Sequence, residues 1–189
     1  MRDLDEIRND IDTIDRQIRD LIMQRLECSR EVVASKINSG NYVIYRADRE
    51  EAILEKLGAG VPEEKKPGYL SLVRKVTETS RMFQYGILFE KEPGLFQSLM
   101  AGHSIPENAS AVKLRLVRPN IPNAMSSILS MIGDYGYNMD RMTLIRYHDE
   151  NSAVEFELDI LGDLHAVPMQ KLMLQLSMEN QEFRILEII

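Results

Sequence analysis

Apolar residues at the start of the chain recur at alternating spacings of three and four positions. This spacing keeps them on one face of an α-helix, as in helices that pack against other helices. We call this face the seam, and its members are Leu4, Ile7, Ile11, Ile14, Ile18 and Leu21. The pattern predicts one long helix over residues 3–38, ended by the segment Asn-Ser-Gly-Asn at 38–41.

The next seam position is occupied by Arg25, where an apolar residue is expected. Cys28 and Val32 then restore the pattern, and Lys36 lies close to the same face. Arg25 and Lys36 are within about 20° of one helix face, with Cα atoms about 16 Å apart. Cations among packed helices are unfavourable unless an anion pairs with them. The pattern favours a small anionic ligand between these two cations. The alternative is that each has a local explanation: the Arg25 head group reaches solvent, and Lys36 is favourable near the C-terminus of the helix because of the helix dipole. Cys28 is expected to be a small core residue.

Two further helices are predicted, over residues 46–57 and 69–90, joined by a turn-rich segment at 60–68. The last helix also carries polar residues where its apolar stripe should continue: Ser80 lies on the stripe, and Gln84 lies one turn later beside it. The stripe consists of Leu70, Val73, Val76, Ser80, Phe83 and Ile87. Three helices with converging polar positions support the same ligand site.

Beyond residue 90 the period changes from helical to alternating. We expect a linker at 91–110, with a short helix as an option, so that the chain divides into domains at 1–90 and 111–189. The predicted elements are a strand at 111–118, a helix at 123–136, a hairpin of strands at 140–149 and 152–161, a helix at 165–178 with Pro168 in its first turn, and a strand at 183–189. The order βαββαβ predicts a ferredoxin-like α+β domain.

Charge and composition narrow the function. The net charge of −7 argues against a general nucleic-acid or anionic-membrane surface. Residues 1–90 carry 15 Lys and Arg against 17 Asp and Glu, which leaves room for a local cationic site. The single cysteine, the charged first ten residues and the lack of a long apolar run predict a cytoplasmic protein that is not in a membrane. The three histidines have no metal-ligand spacing, so no metal is expected.

Polar residues spread over the three predicted helices resemble those of the all-helical class of chorismate mutases. The segments that carry the resemblance are "LDEIRNDIDTIDRQIRDLIMQRLECSREVVASK", "YRADREEAILEKL" and "TETSRMFQYGIL", and the matching positions are Arg8, Arg25, Lys36, Arg49, Glu50, Ser80 and Gln84. The resemblance covers about residues 3–90. It implies an intertwined helical homodimer that isomerises chorismate to prephenate in phenylalanine and tyrosine biosynthesis, without a cofactor.

The resemblance also implies what each matching residue does. Lys36 and Gln84 would donate to the ether oxygen of chorismate, and Glu50 would accept from the ring hydroxyl. The carboxylates would be held by Arg8 and Arg25, with support from Arg49 and Ser80. The resemblance implies that Arg8 acts in trans, in the neighbouring protomer's site; the distance of about 25 Å between Arg8 and Arg25 along one helix agrees with this.

One position departs from the family pattern. Many members have Asp where this chain has Arg46, so the hydroxyl contact is expected to rest on Glu50 alone. Two alternatives stay open: an isochorismate-pyruvate lyase, which uses the same fold, and a non-catalytic sensor in which the helical half only dimerises, for which Arg46 is the best support.

The second predicted domain resembles the ACT regulatory domains of amino-acid metabolism, through its topology and the loop "RPNIPNAMSSIL". The resemblance implies an effector, phenylalanine or tyrosine, near the loop residues Asn120, Ile121, Pro122, Asn123 and Ala124. The Gly-Ala-Leu and Glu-Ser-Arg-Pro segments of phenylalanine-binding versions are absent. A purely dimer-building role is the alternative.

Overall fold

The computed structural model describes residues 2–148 and 152–189. The chain divides into two compact units, Met1–Ile87 and Leu88–Ile189. The helices of the first unit are α1 Leu4–Asn38, α2 Ala47–Gly58 and α3 Lys66–Lys91, whose last residues continue into the second unit. The second unit contains α4 Pro93–Leu99, β1 Ala111–Pro119, α5 Ala124–Asp134, β2 Asn138–His148, β3 Ala153–Leu161, α6 Val167–Glu179 and β4 Glu182–Ile188.

Helix α1 forms over the predicted range, and most of its length is exposed in the single chain. Its buried residues are Ser29 and Val33. The six seam residues have exposed fractions from 36% at Ile7 to 62% at Leu21. A row of exposed large apolar side chains is typical of an interaction surface.

Helix α3 begins earlier than predicted, at Lys66 in place of residue 69. The sequence pattern assigned Pro67 and Gly68 to a turn. Proline is favourable in the first turn of a helix, because that turn needs no backbone donor at this position. The connection before α3 is shorter as a result: the amide of Lys65 donates to the carbonyl of Pro62, and the helix follows directly.

The second unit has the predicted ferredoxin-like fold. Its antiparallel sheet has the strand order β2-β3-β1-β4, and β1 pairs with β3 from Ala111 opposite Leu161 to Pro119 opposite Ala153. β2 and β3 pair as antiparallel neighbours, and the predicted hairpin turn lies partly outside the described residues. Alternate residues of β1 and β3, including Leu114 and Phe156, are fully buried in one core with α5 and α6.

The other face of the sheet carries charged residues in the alternate positions. Arg115 donates to Glu157 at 2.5 Å, and Arg146 donates to Glu155 at 2.6 Å. The hydrogen bond from Arg146 is the main reason that the pKa of Glu155 is below its ordinary value. Pairing of opposite charges across neighbouring strands supports the strand register and compensates the burial of Glu155, which is 4% exposed.

Residues 91–110, which the sequence predicted as a linker, contain helix α4. Pro93 occupies its first turn, and its apolar residues Phe96 and Leu99, with the following Met100, pack against the core of the second unit. The helix is too short for its periodicity to stand out among the neighbouring Pro, Gly and polar residues. No helix within the described residues is both long enough and apolar enough to cross a membrane.

Candidate active site

The helical unit contains a cavity of about 490 Å³. Helices α1, α2 and α3 and the loop after α1 all contribute to its wall. The cavity is lined by Arg25, Cys28, Ser29, Val32, Lys36, Asn41, Val43, Ile44, Arg46, Arg49, Glu50, Ile53, Thr77, Ser80, Arg81 and Gln84. This volume is within the usual range for a small-molecule site.

The structure brings six of the seven matching residues to this cavity: Arg25, Lys36, Arg49, Glu50, Ser80 and Gln84. Arg8 is elsewhere, on the exposed N-terminal part of α1, where its side chain is 65% exposed and donates to Asp5 at 3.2 Å. The distance along α1 keeps Arg8 about 25 Å from Arg25 of the same chain.

Arg25 links α1 to α3 at the cavity wall. Its Nη1 donates to the hydroxyl of Ser80 and to the carbonyl of Val76, the latter at 3.3 Å. Ser80 in turn donates to the same carbonyl at 3.0 Å. Burial lowers the pKa of Arg25 from its ordinary value, and the charge of Glu50 acts in the opposite direction. The contacts fix one end of the guanidinium and leave other N–H groups of the fork for a ligand.

Lys36 is held at the other end of the cavity by the loop that follows α1. Its ammonium donates to the carbonyl of Val43 at 2.5 Å and to that of Ile44 at 3.4 Å. Burial lowers the pKa of Lys36, and the nearby charges of Arg49 and Arg46 lower it further. An ammonium has three donors, so two carbonyl contacts leave one for a ligand.

Gln84 and Ser80 lie on the same side of α3, one turn apart. The amide of Gln84 donates to the backbone carbonyl of Ser80 at 3.2 Å. Because a glutamine amide has two N–H donors, the second can serve a ligand in the cavity. Ser80 is only 5% exposed, so its hydroxyl is a fixed part of the wall.

Glu50 forms an ion pair with Arg81, which sequence reasoning did not assign to the site. Arg81 is 7% exposed, and its guanidinium carbon lies 4.9 Å from the centre of the Tyr45 ring. The sequence offered one signal, the spacing of four that places Val73, Thr77 and Arg81 on one face of α3; the structure shows that all three are buried. The predicted stripe instead continued from Ser80 through Phe83 and Ile87, and both of these are only partly buried.

Two other residues of the wall have environments that the sequence did not establish. Cys28 was expected in the core, but it is exposed and lines the cavity, because the facing wall is polar and leaves open space. Arg46 donates to Asp48 through Nε at 2.9 Å, and this hydrogen bond is the main reason that the pKa of Asp48 falls to about 2. Both members of that pair are more than half exposed.

Charge gives the cavity its chemical character. Among the described residues, its wall contains five cationic side chains and one carboxylate, that of Glu50: the cations are Arg25, Lys36, Arg46, Arg49 and Arg81. Such an excess in a partly buried site favours an anionic ligand. In the same described part of the chain, no group of three His, Cys, Asp or Glu side chains is placed to hold a metal ion.

The loop that was expected to bind an effector connects β1 to α5. Its first four residues, Asn120 to Asn123, are exposed, and Ala124 is buried at the start of α5. Asn123 has a positive φ of 67°, a conformation that Asn tolerates better than most residues. The amide of Asn120 donates to the carbonyl of Ser152 at 2.9 Å, which ties the loop to the start of β3.

Comparison with known proteins identifies the helical unit. Residues 7–85 match the family described as chorismate mutase type II, so this unit is a chorismate mutase type II domain. One similar solved structure is described as "GqqA- a novel type of quorum quenching acylases". It is 25% identical with a TM-score of 0.40, and the match covers 44% of this chain and 44% of that one. The comparison with curated proteins gives no match.

Proposed function

We propose that the cavity of the chorismate mutase type II domain binds chorismate and isomerises it to prephenate. The family match implies the isomerase activity. The observation that carries the assignment to this cavity is the convergence of six matching polar residues, from three helices, on one wall that is rich in cations. Chorismate has two carboxylates, which suit such a wall.

The reaction is an intramolecular rearrangement in which a C–O bond breaks as a C–C bond forms. It requires no nucleophile on the protein and no redox step. A protein can accelerate it by holding the compact reactive conformer and by placing donors where negative charge develops. The fixed positions of Arg25 and Lys36 on α1 and of Gln84 on α3 support this mode of catalysis.

Each residue is assigned by the donors that its protein contacts leave available. Arg25, supported by Ser80, holds a carboxylate, and Arg49 adds a second cation on α2. Lys36 and Gln84 each direct a remaining N–H to the ether oxygen, which gains negative charge as the C–O bond breaks. Glu50 accepts from the ring hydroxyl.

A homodimer completes the site in this proposal. The exposed seam of α1 supplies the apolar surface on which a second copy packs, and Arg8 lies on the same exposed part of the helix. In an intertwined pair, Arg8 of one protomer enters the cavity of its partner and binds the second carboxylate. This arrangement accounts for an arginine that is far from the cavity of its own chain.

A regulatory role for the ferredoxin-like unit is the second part of the proposal. An aromatic amino acid, phenylalanine or tyrosine, would bind at the exposed loop from Asn120 to Ala124. The support is the position of this loop between the first strand and the first helix, as in the ACT domains that the unit resembles. Calorimetric titration with each amino acid tests it: binding that changes the activity supports the role, and no binding would leave only dimer building.

The catalytic assignment is tested with Gln84→Ala. Loss of a donor to developing charge should lower kcat by about 10²–10³-fold. Gln24→Ala is the matched control, because Gln24 is an exposed glutamine on α1 that does not line the cavity. A wild-type enzyme that turns over chorismate no faster than Gln84→Ala would contradict the mechanism. Pyruvate release from isochorismate, without prephenate formation from chorismate, would indicate the lyase instead.

A further inference from the structure

Arg81 is a buried cation inside a cavity that already has an excess of positive charge. It lies outside the set of residues that the family resemblance assigns to the site. The residue is 7% exposed and forms an ion pair with Glu50, whose side chain is 25% exposed. Desolvation of an arginine is unfavourable unless a specific partner compensates for it. The contact between Arg81 and Glu50 is therefore the feature of this position that needs a role.

Other cations line the same cavity as Glu50. Arg25 and Arg49 both belong to its wall, and the charge of Glu50 is near enough to Arg25 to raise the pKa of that guanidinium. A carboxylate that turned toward Arg25 would neutralise the group that the proposed function assigns to a substrate carboxylate. The ion pair with Arg81 gives Glu50 a partner on α3 in place of Arg25.

Two contacts hold the guanidinium of Arg81 in place. The ring of Tyr45 lies 4.9 Å from the guanidinium carbon, so the plane of the cation is supported by an aromatic face. Nη1 of Arg81 contacts Oε1 of Glu50. Because a carboxylate offers about four acceptor sites, Glu50 keeps capacity for a hydroxyl of the ligand.

We infer that Arg81 is a positioning residue that restrains Glu50, so that Glu50 does not occupy the cations that bind substrate. The inference rests on the proposed function of the cavity. It assigns Arg81 no contact with the substrate: the residue acts through Glu50 and keeps the anion-binding part of the cavity open.

The inference predicts an unusual relation between two substitutions. In Arg81→Met the released carboxylate of Glu50 competes with the substrate, and KM for chorismate should rise about tenfold or more. Adding Glu50→Gln removes the competing charge. The double variant should therefore have a KM severalfold lower than that of Arg81→Met alone, close to the value of Glu50→Gln. A purely structural role for Arg81 predicts no such recovery.

The experiment measures kcat and KM for the wild type, both single variants and the double variant, with calorimetric binding of chorismate in parallel. Arg74→Met is the control for loss of an arginine from α3, because Arg74 does not line the cavity. Circular dichroism checks that each variant folds. If Arg81→Met does not fold, the same comparison is made with Arg81→Lys and Arg81→Lys/Glu50→Gln, since lysine keeps the charge but loses the planar fork.

The outcomes separate this inference from the proposed function. Wild-type turnover with recovery in the double variant supports both. Wild-type turnover with a double variant that binds no better than the Arg81 single variant overturns the restraint and leaves the proposed function in place. A wild type that neither binds nor converts chorismate overturns the proposed function and the inference that rests on it.

Discussion

Truncating the seam of α1 should separate the proposed dimer and remove its activity. We choose Ile14→Ala/Ile18→Ala, because the two isoleucines lie in the middle of the seam, one turn apart. They are 52% and 44% exposed in the single chain. About half of each side chain is therefore available for burial against a second copy, and neither substitution removes a core contact of the helical unit.

The size of the effect follows from the remaining exposure. Complete burial of an isoleucine contributes about 1.5–3 kcal/mol, so burial of the exposed half contributes about 1 kcal/mol. Two isoleucines in each of two protomers give a loss of about 4 kcal/mol on dimerisation. Since each 1.4 kcal/mol is a factor of ten, the Kd of the dimer should rise about a thousandfold.

The assay follows oligomeric state and activity over the same range of protein concentrations. Sedimentation velocity should show the wild type as a dimer and the variant as a monomer at micromolar concentration. Specific activity of the variant should fall with dilution in parallel with dissociation, because Arg8 then has no neighbouring cavity. Met23→Ala/Leu72→Ala is the matched control, since these side chains are 53% and 56% exposed but lie outside the seam.

A monomeric variant that keeps full activity would refute the role of Arg8 in trans. A variant that stays dimeric with an unchanged Kd would refute the seam as the interface. A control that dissociates as readily as the seam variant would show that exposed apolar surface in general, and not the seam, supports association.

Three further predictions concern the site and the second unit. Mixing inactive Arg8→Ala and Arg25→Ala proteins in equal amounts should recover about a quarter of the wild-type activity, because half of the dimers are mixed and each has one complete site. Burial lowers the pKa of Lys36 in the free enzyme, which governs kcat/KM, whereas a bound dianion raises that pKa in the complex, which governs kcat. As pH rises, kcat/KM should therefore begin to fall at a lower pH than kcat. Tyr135→Phe should destabilise the second unit by about 1–3 kcal/mol, since it removes the 2.9 Å hydrogen bond to buried Gln175.

For the mixing experiment, initial rates after subunit exchange are compared with those of each variant alone, and no recovery contradicts a shared site. For Lys36, coincident alkaline limbs of kcat and kcat/KM would show that its lowered pKa does not govern binding. For Tyr135, calorimetry should give a lower Tm than in the control Tyr147→Phe, whose side chain is 51% exposed; equal Tm values would contradict the prediction.

The sequence was sufficient to locate the wall of the cavity where a strong pattern was broken. Arg25 interrupts a regular apolar series, and Lys36 returns to the same helix face, so both stood out as misplaced cations. The ferredoxin-like fold was equally accessible, because its strands alternate clearly and its element order is distinctive. Periodicity works in such cases because each residue's face follows directly from its position.

Arg81 shows where this reasoning fails. Its burial depends on which side of α3 faces α1 and α2. If the buried stripe is shifted by one residue, Arg81 moves from the edge of the stripe to the wall of the cavity. Its ion pair with Glu50 joins residues 31 positions apart, so no local pattern indicates it. The short helix expected in the linker could not be placed for a related reason: α4 is stabilised by packing against the core of the second unit, and its own sequence is short and begins with Pro and Gly.

Product analysis with chorismate is the most direct test of the proposed isomerase activity. The purified protein is mixed with chorismate in the presence of a metal chelator and without added cofactor, the loss of substrate is followed by absorbance, and the product is identified by mass and NMR spectroscopy. We expect conversion to prephenate, which has the same mass as chorismate, at a rate far above the rates in buffer and with Gln84→Ala. Loss of chorismate no faster than in buffer alone would contradict the proposed activity.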